Sequence, residues 1–262
     1  MQERTAESHR QETPSLYDFY DYSTFWQGRD YESRADIIAF KKFLNKIRHT
    51  IPHDCIIDVG GGLGRLTPHY APHFTRPFLV DPSSVQLERS QKTTADAYPH
   101  VSFLQGTAEN LPFPDASTDV VVCVRVSHHI PDMTKPIEEF SRVLKPGGYL
   151  ILEIANKLHI KSRLRAYAKG GAKELHSLAP MPVRMYKDTV TPFVNHHPQA
   201  IETELIQAGF DIVTRRSVSN LRSPLLKKIA PTCALVGAEY ILQRMLAHWQ
   251  FGPSVFFLAR KK

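Results

Sequence analysis

The chain has 262 residues, 42% hydrophobic and 23% charged, and its 33 Lys and Arg exceed its 26 Asp and Glu to give a formal net charge of +7. This is the composition of an ordinary globular protein, long enough for one α/β domain with insertions or for a domain plus a lid. No window approaches the roughly 18 uninterrupted apolar residues of a membrane span, and Cys55, Cys123 and Cys233 form neither a disulfide framework nor a zinc spacing, so they read as reduced core residues of a cytoplasmic protein.

Residues 1–15 are polar, carry Glu3, Glu7 and Glu12, and predict a disordered tail that is neither secretory signal nor transit peptide. Six aromatics follow between Tyr17 and Trp26. They are expected to pack a leading segment on the core, or alternatively to fold over a bound cation. Apolar residues at 37, 40, 44 and 47 predict a helix over 31–48. Next come strand 55–59, helix 63–72, strand 77–80, helix 83–97 and strand 101–104. The β-branched run 118–126 predicts a strand covered on both faces. Helix 135–143 follows, Pro146-Gly147-Gly148 interrupts, and strand 149–154 resumes the pattern.

Between 157 and 187 stand eight basic residues against one acid, Glu174, a local excess equal to the whole net charge of the chain. This segment reads either as an electropositive lid for an anionic substrate, a phosphate-bearing polymer or an acidic membrane, or as a solvated face on a long loop. Helix 198–208 ends at Gly209, strand 210–218 follows, 220–252 is mostly helical, and 254–260 makes a last strand. The alternation defines an α/β fold: a doubly wound, mainly parallel seven-stranded sheet with helices on both faces and helical or loop lid insertions. The expected organisation is a tail (1–15), a cap and cofactor-binding half (16–156), a basic lid (157–197) and the rest of the same domain (198–262) with a helical insertion at 220–252.

The run Asp58-Val59-Gly60-Gly61-Gly62-Leu63-Gly64 lies between a predicted strand and a predicted helix. A dinucleotide fingerprint, G-x-G-x-x-G, would need glycine at Arg65 or at Thr67, so NAD and FAD are disfavoured. An acid followed by alternating glycines resembles the first motif of the class I S-adenosylmethionine-dependent methyltransferases, in their small-molecule branch. The resemblance extends through Pro77-Phe78-Leu79-Val80-Asp81, the segment Gly106 to Asp115, Thr118 to Val122, His128 to Asp132 and Leu144 to Gly148. It covers residues 30 to 156. The signature positions all fall at the carboxyl ends of predicted strands, where open α/β sheets bind ligands.

The resemblance implies S-adenosylmethionine as cofactor and assigns roles. Backbone amides of Gly60, Gly61, Gly62 and Gly64, at a helix start, would receive the methionine carboxylate. Asp58 would place the ammonium, Asp81 the ribose hydroxyls. Pro82 and Ser83 would flank the adenine, and Thr107 and Ala108 would read its edge, with threonine where the family usually has aspartate. Arg125 lies among the signature residues at the end of the fourth strand, and Arg29 and Tyr31 are further candidates for the cofactor carboxylate. His128 and His129 are placed to act as base or to position the acceptor, with His159, His196 and His197 weaker candidates. No metal site is expected. The segment Arg125-Val126-Ser127-His128-His129 stands where base N-methylating enzymes commonly carry N/D-P-P-Y, which disfavours nucleic acid. The expected partner is a small organic acceptor, anionic and partly apolar, under a lid formed by 157–197 and 220–252. The rival expectation is a catalytically inactive relative that binds a partner or polyanion, RNA or an acidic membrane, through 157–187.

Overall fold

The computed structural model describes Asp18 and residues 26–183 and 193–262. The proposed tail, five of the six leading aromatics, and Arg184 and Lys187 of the basic segment lie outside the described residues. In chain order the elements are α1 (Asp30–Ile47), β1 (Cys55–Val59), α2 (Thr67–Tyr70), β2 (Arg76–Asp81), α3 (Ser84–Thr94), β3 (Ser102–Gln105), β4 (Thr118–Cys123) and α4 (Thr134–Val143). Then come β5 (Leu144–Ala155), α5 (Ile160–Lys169), α6 (Ala172–His176), β6 (Met181–Pro182), β7 (Val194–Asn195), α7 (Pro198–Gln207), β8 (Phe210–Val218), α8 (Pro224–Ile229), α9 (Thr232–Met245) and β9 (Ser254–Lys261).

Among the described residues one sheet has seven strands in the order β3-β2-β1-β4-β5-β9-β8. The first five are parallel, and β9 runs antiparallel to both neighbours. The last strand is antiparallel yet not at the sheet edge: β9 is inserted between β5 and β8, and β8 forms the edge. The burial of the six residues Ser254–Ala259 explains why β9 occupies an inner position. The period of two along β4 divides its side chains between two cores. Val120 and Val122 join Phe40, Phe43, Tyr70 and Phe256 on one face, whereas Val121 and Cys123 join Ile57, Phe140, Leu205 and Phe257 on the other.

Several expectations shift for identifiable reasons. The predicted helix 63–72 shortens to α2 and a 3-10 turn over Ala71–His73, because the positive-φ glycines 60, 62 and 64 extend the turn and Pro68 allows a helix only at its first positions. The fourth strand stops at Cys123 instead of Val126, since Arg125 takes a φ of 66° and a 3-10 turn begins at Ser127. β5 begins at Leu144, five residues early, with Pro146 to Gly148 absorbed where its register against β4 shifts. Cys55 and Cys123 are buried, but Cys233 is exposed. Within 220–252, α9 packs against α1: Tyr31 donates to Glu239 (2.6 Å) and Gln243 donates to the Ala35 carbonyl (2.8 Å).

Phe140 on α4 is wholly buried in the second core. Phe140→Ala is expected to lower unfolding free energy by about 3–5 kcal/mol, the transfer loss plus a cavity, in urea denaturation; a loss under about 1 kcal/mol would show that α4 does not seal this face.

Candidate active site

The carboxyl ends of β1, β2 and β4 border a cavity of about 290 Å³, near the lower end of the roughly 300–1,000 Å³ found for small-ligand sites. Its floor is the glycine turn, pressed onto the sheet. A Cβ at Gly60 would stand 2.3 Å from a Val126 methyl, and one at Gly61 would stand 2.6 Å from Leu79 Cγ. Only glycine fits there, and at Gly60 the φ of 66° adds a second reason. Gly64 faces away: a Cβ on it would meet Ser90 Oγ of α3 at 2.7 Å, and Gly64 does not line the cavity.

The turn's amides are largely engaged within the protein. Gly60 and Gly61 donate to the Val80 carbonyl (2.7 and 3.2 Å), Gly62 to Asp81 (2.9 Å) and Gly64 to the Gly61 carbonyl (2.9 Å). The expectation of a helix start with open amides for a carboxylate is therefore corrected. Helix α2 begins only at Thr67 and has four residues.

Two carboxylates face the turn. Asp58 is buried on β1, and its Oδ2 has no hydrogen-bond partner. Burial pushes its pKa up to about 7, opposed by Arg65 and by a hydrogen bond with Tyr70, while nearby Asp81 adds to the rise. Asp81 accepts from the Gly62 amide through one oxygen and from the Ser83 amide through the other, both at 2.9 Å. Burial still raises Asp81 to about 6. Each carboxylate oxygen keeps a second lone pair, so Asp81 can accept from two further hydroxyls. Pro82, Thr107 and Ala108 line the same cavity beside Asp81. Ser83 does not: it is fully buried, caps α3 by accepting from the Gln86 amide at 3.1 Å, and is absent from the lining.

A buried ion network forms the opposite wall. Asp36 on α1 is inaccessible and accepts from Arg125 at 2.9 and 2.7 Å and from Arg65 at 3.1 Å. The Arg125 amide also donates to Glu153 on β5 (2.9 Å). Burial alone would lower the Arg125 pKa, but Asp36 and Glu153 reverse it and hold the guanidinium charged. Burial lowers Arg65, against Asp36. Its guanidinium lies 4.1 Å from the Trp26 ring centroid, a cation–π contact, and both residues line the cavity. Sequence reasoning gave Arg65 and Asp36 no role. The available signal was a carboxylate set in the buried stripe of α1 between Ala35 and Ala39. Of the other candidates, Tyr31 is turned away to Glu239 and the Leu221 amide, and Arg29 is absent from the lining.

At the far end, His128 and His129 meet with ring centroids 4.0 Å apart, and Phe193 lies 4.6 Å from His128. Burial, then His129, Arg125 and His196, push the His128 pKa well below the ordinary histidine value, so its imidazole is neutral. The three weaker histidines are structural. His159 and His197 cap α5 and α7, and His196 bonds the Ser127 carbonyl at 2.9 Å, fixing the 3-10 turn under His128. Phe193 is the one residue of 157–197 in the lining among the described residues, and none of 220–252 lines it.

A family model described as a methyltransferase domain matches residues 57–152. The uncharacterized methyltransferase YcgJ of Bacillus subtilis is 35% identical over 98 residues, 37% of this chain. The chain spans only 39% of that relative's length, and 33% and 20% of two further curated relatives. The ubiquinone/menaquinone biosynthesis C-methyltransferase UbiE of Shewanella frigidimarina is 27% identical over 203 residues, 70% of this chain and 79% of the relative. A solved S-adenosylmethionine-dependent methyltransferase from Methanosarcina mazei superposes with a TM-score of 0.56 at 21% identity, over 82% of this chain and 96% of that one, a likeness of fold. Residues 57–152 thus match a methyltransferase domain, and the fold of the chain is that of solved S-adenosylmethionine-dependent methyltransferases. No helix among the described residues is long and apolar enough to cross a membrane.

Asp36→Ala would leave two arginines without their shared carboxylate, and the expected loss of stability is about 3–5 kcal/mol by chemical denaturation. Asp36→Asn retains an acceptor oxygen and should lose less; equal stability of wild type and the alanine variant would show that the network carries no net energy. His128 predicts the opposite pH response to the acids. Its folded pKa lies below 6.5, so its contribution is complete above that pH and disappears as pH falls toward the folded value. His128→Phe should flatten the acid limb of the Tm profile.

Proposed function

We propose that the protein transfers the methyl group of S-adenosylmethionine to a small, partly apolar organic acceptor. The observation that carries this reading is Asp58, a buried carboxylate with one unpartnered oxygen that lines a cavity whose other end is aromatic. A cationic amine bound beside that carboxylate would compensate the buried charge. The residues present fit the cofactor: Asp58 for the ammonium, Asp81 for the ribose hydroxyls, and Pro82, Thr107 and Ala108 around the adenine. Gly60, Gly61 and Gly62 let the cofactor approach bare backbone, and Arg65, held between Asp36 and Trp26, replaces the turn's amides as the candidate for the carboxylate.

Bound S-adenosylmethionine supplies a methyl group already made electrophilic by its sulfonium. The chain then has to hold an acceptor in line with it, a positioning effect worth up to roughly 7–11 kcal/mol in favourable intramolecular cases. Val126, Ile130, Phe193 and the imidazoles of His128 and His129 form the wall where that acceptor would sit. This lining favours an apolar or aromatic acceptor over an anionic one, because Arg125 is already neutralised by Asp36 and Glu153. The name of the UbiE relative, a C-methyltransferase of ubiquinone and menaquinone biosynthesis, agrees with an aromatic acceptor. Neutral His128 accepts a hydrogen bond or a proton at physiological pH, but its lowered pKa makes it a weak base, which favours acceptor positioning as its role.

Calorimetric titration with S-adenosylmethionine is the direct test. Binding is expected, and Asp81→Ala should weaken it at least about tenfold, near 1.4 kcal/mol; no heat with the wild type would sink the reading. The pH dependence has a definite sign. With Asp58 raised to about 7, the free protein carries a proton there at pH 6 that an ammonium must displace. Affinity should therefore rise from pH 6 to pH 8, by up to roughly tenfold, with proton release detectable as buffer-dependent heat. Asp58→Asn should abolish that dependence, and proton uptake on binding would refute the role given to Asp58.

A further inference from the structure

The cavity opens where β1, β2 and β4 end, the side on which the parallel strand β5 also ends, and two further helices leave the sheet at that same side. Helix α5 follows β5, and α8 follows β8, which runs in the direction of β5 because both are antiparallel to β9. The connection bearing Trp249 returns to that side to begin β9. Neither α5 nor α8 buries a single residue. Both nevertheless expose large apolar side chains: Leu164 and Tyr167 on α5 at 63% and 64%, Leu225 and Ile229 on α8 at 66% and 70%, with Trp249 at 64%.

These side chains belong to one linked surface. Lys161 of α5 donates to the Arg222 carbonyl just before α8 (3.0 Å), and Arg163 of α5 donates to the Trp249 carbonyl (2.9 Å). The charges among them have one sign. Helices α5 and α8 contain no acid, Arg165, Lys169 and Lys228 are exposed, and the nearest acid in sequence is Glu174 on α6. Lys227 is excepted, since it is paired with Glu32 at 2.6 Å.

Apolar groups interleaved with cations match the boundary of an anionic bilayer, where aliphatic and aromatic side chains enter the acyl region and lysine or arginine stays among the phosphates. A nucleic acid would use the cations and Tyr167 but would gain nothing from Leu164, Leu225 and Ile229. A second copy of the chain would set two positive faces against each other. We infer that α5, α8 and Trp249 dock this protein onto an anionic lipid surface, with the mouth of the cavity on the side that meets it. An apolar acceptor would then be drawn from the membrane, a consequence that rests on the acceptor reading above; the docking does not.

The test is flotation of the full chain with phosphatidylcholine vesicles, with and without phosphatidylglycerol. Binding to the anionic vesicles is expected, at least about tenfold stronger than to neutral ones and falling as salt is added. Leu164→Ser with Ile229→Ser should reduce it by a similar factor, as should Arg165→Gln with Lys169→Gln and Lys228→Gln. Titration of each variant with S-adenosylmethionine, whose candidate ligands lie elsewhere, reports whether the variant is folded. If wild type shows no vesicle binding, floats equally with both vesicle types, retains full binding in the apolar double variant, or binds an RNA oligonucleotide but no vesicle, the docking surface is refuted. Such results would leave the cofactor reading standing, and failure to bind cofactor would leave docking intact.

Discussion

The contact between the glycine turn and the sheet beneath it sets the position of everything else in the site. Gly60 and Gly61 lie so close to Val126 and Leu79 that no side chain could intervene, and both amides converge on the Val80 carbonyl of the neighbouring strand. This draws the end of β1 toward the end of β2, which brings Asp58 and Asp81 to one cavity and couples the turn to Asp81 through the Gly62 amide. The turn is thus a rigid floor whose hydrogen-bonding capacity is mostly spent within the protein. What it offers a ligand is proximity to backbone and carboxylates more than a ring of open donors.

Electrostatics divides the cavity into regions of different character. At one end, carboxylates are desolvated without full compensation, and burial raises both Asp58 and Asp81. Along the wall, the buried carboxylates of Asp36 and Glu153 compensate two half-buried arginines, fixing Arg65 against Trp26 and Arg125 at the end of β4. Beyond them, neutral imidazoles and Phe193 make an apolar end. Uncompensated negative charge beside an apolar chamber suits a ligand with a cationic amine and a partner molecule without strong charge.

The basic excess that dominates the sequence between 157 and 187 is only partly a feature of the site. Its described portion lies mostly in α5 and α6, and among the described residues of 157–197 only Phe193, beyond that excess, reaches the cavity. The helical segment 220–252 likewise contributes α9 to the packing of α1 and no described residue to the cavity lining. Charge by itself did not reveal that these helices also expose apolar side chains, because hydrophobic residues in a sequence are ordinarily assigned to a core.

The sequence by itself determined the strand and helix alternation, the glycine turn at 60–64 and the acids at 58 and 81, because each depends on a local rule: a period of two, a backbone needing φ > 0, a polar residue at a strand end. β1 and β8 were legible to the residue, and β4 was found from its β-branched run but overextended by three positions. Tertiary structure alone decided that β9 lies inside the sheet, that the turn's amides bond to Val80 and Asp81, that Tyr31 serves Glu239, and that Asp36 joins Arg65 to Arg125. Those pairings span 19 to 208 positions along the chain. No periodicity or spacing encodes them, since their energy depends on which groups lose water together when the elements pack.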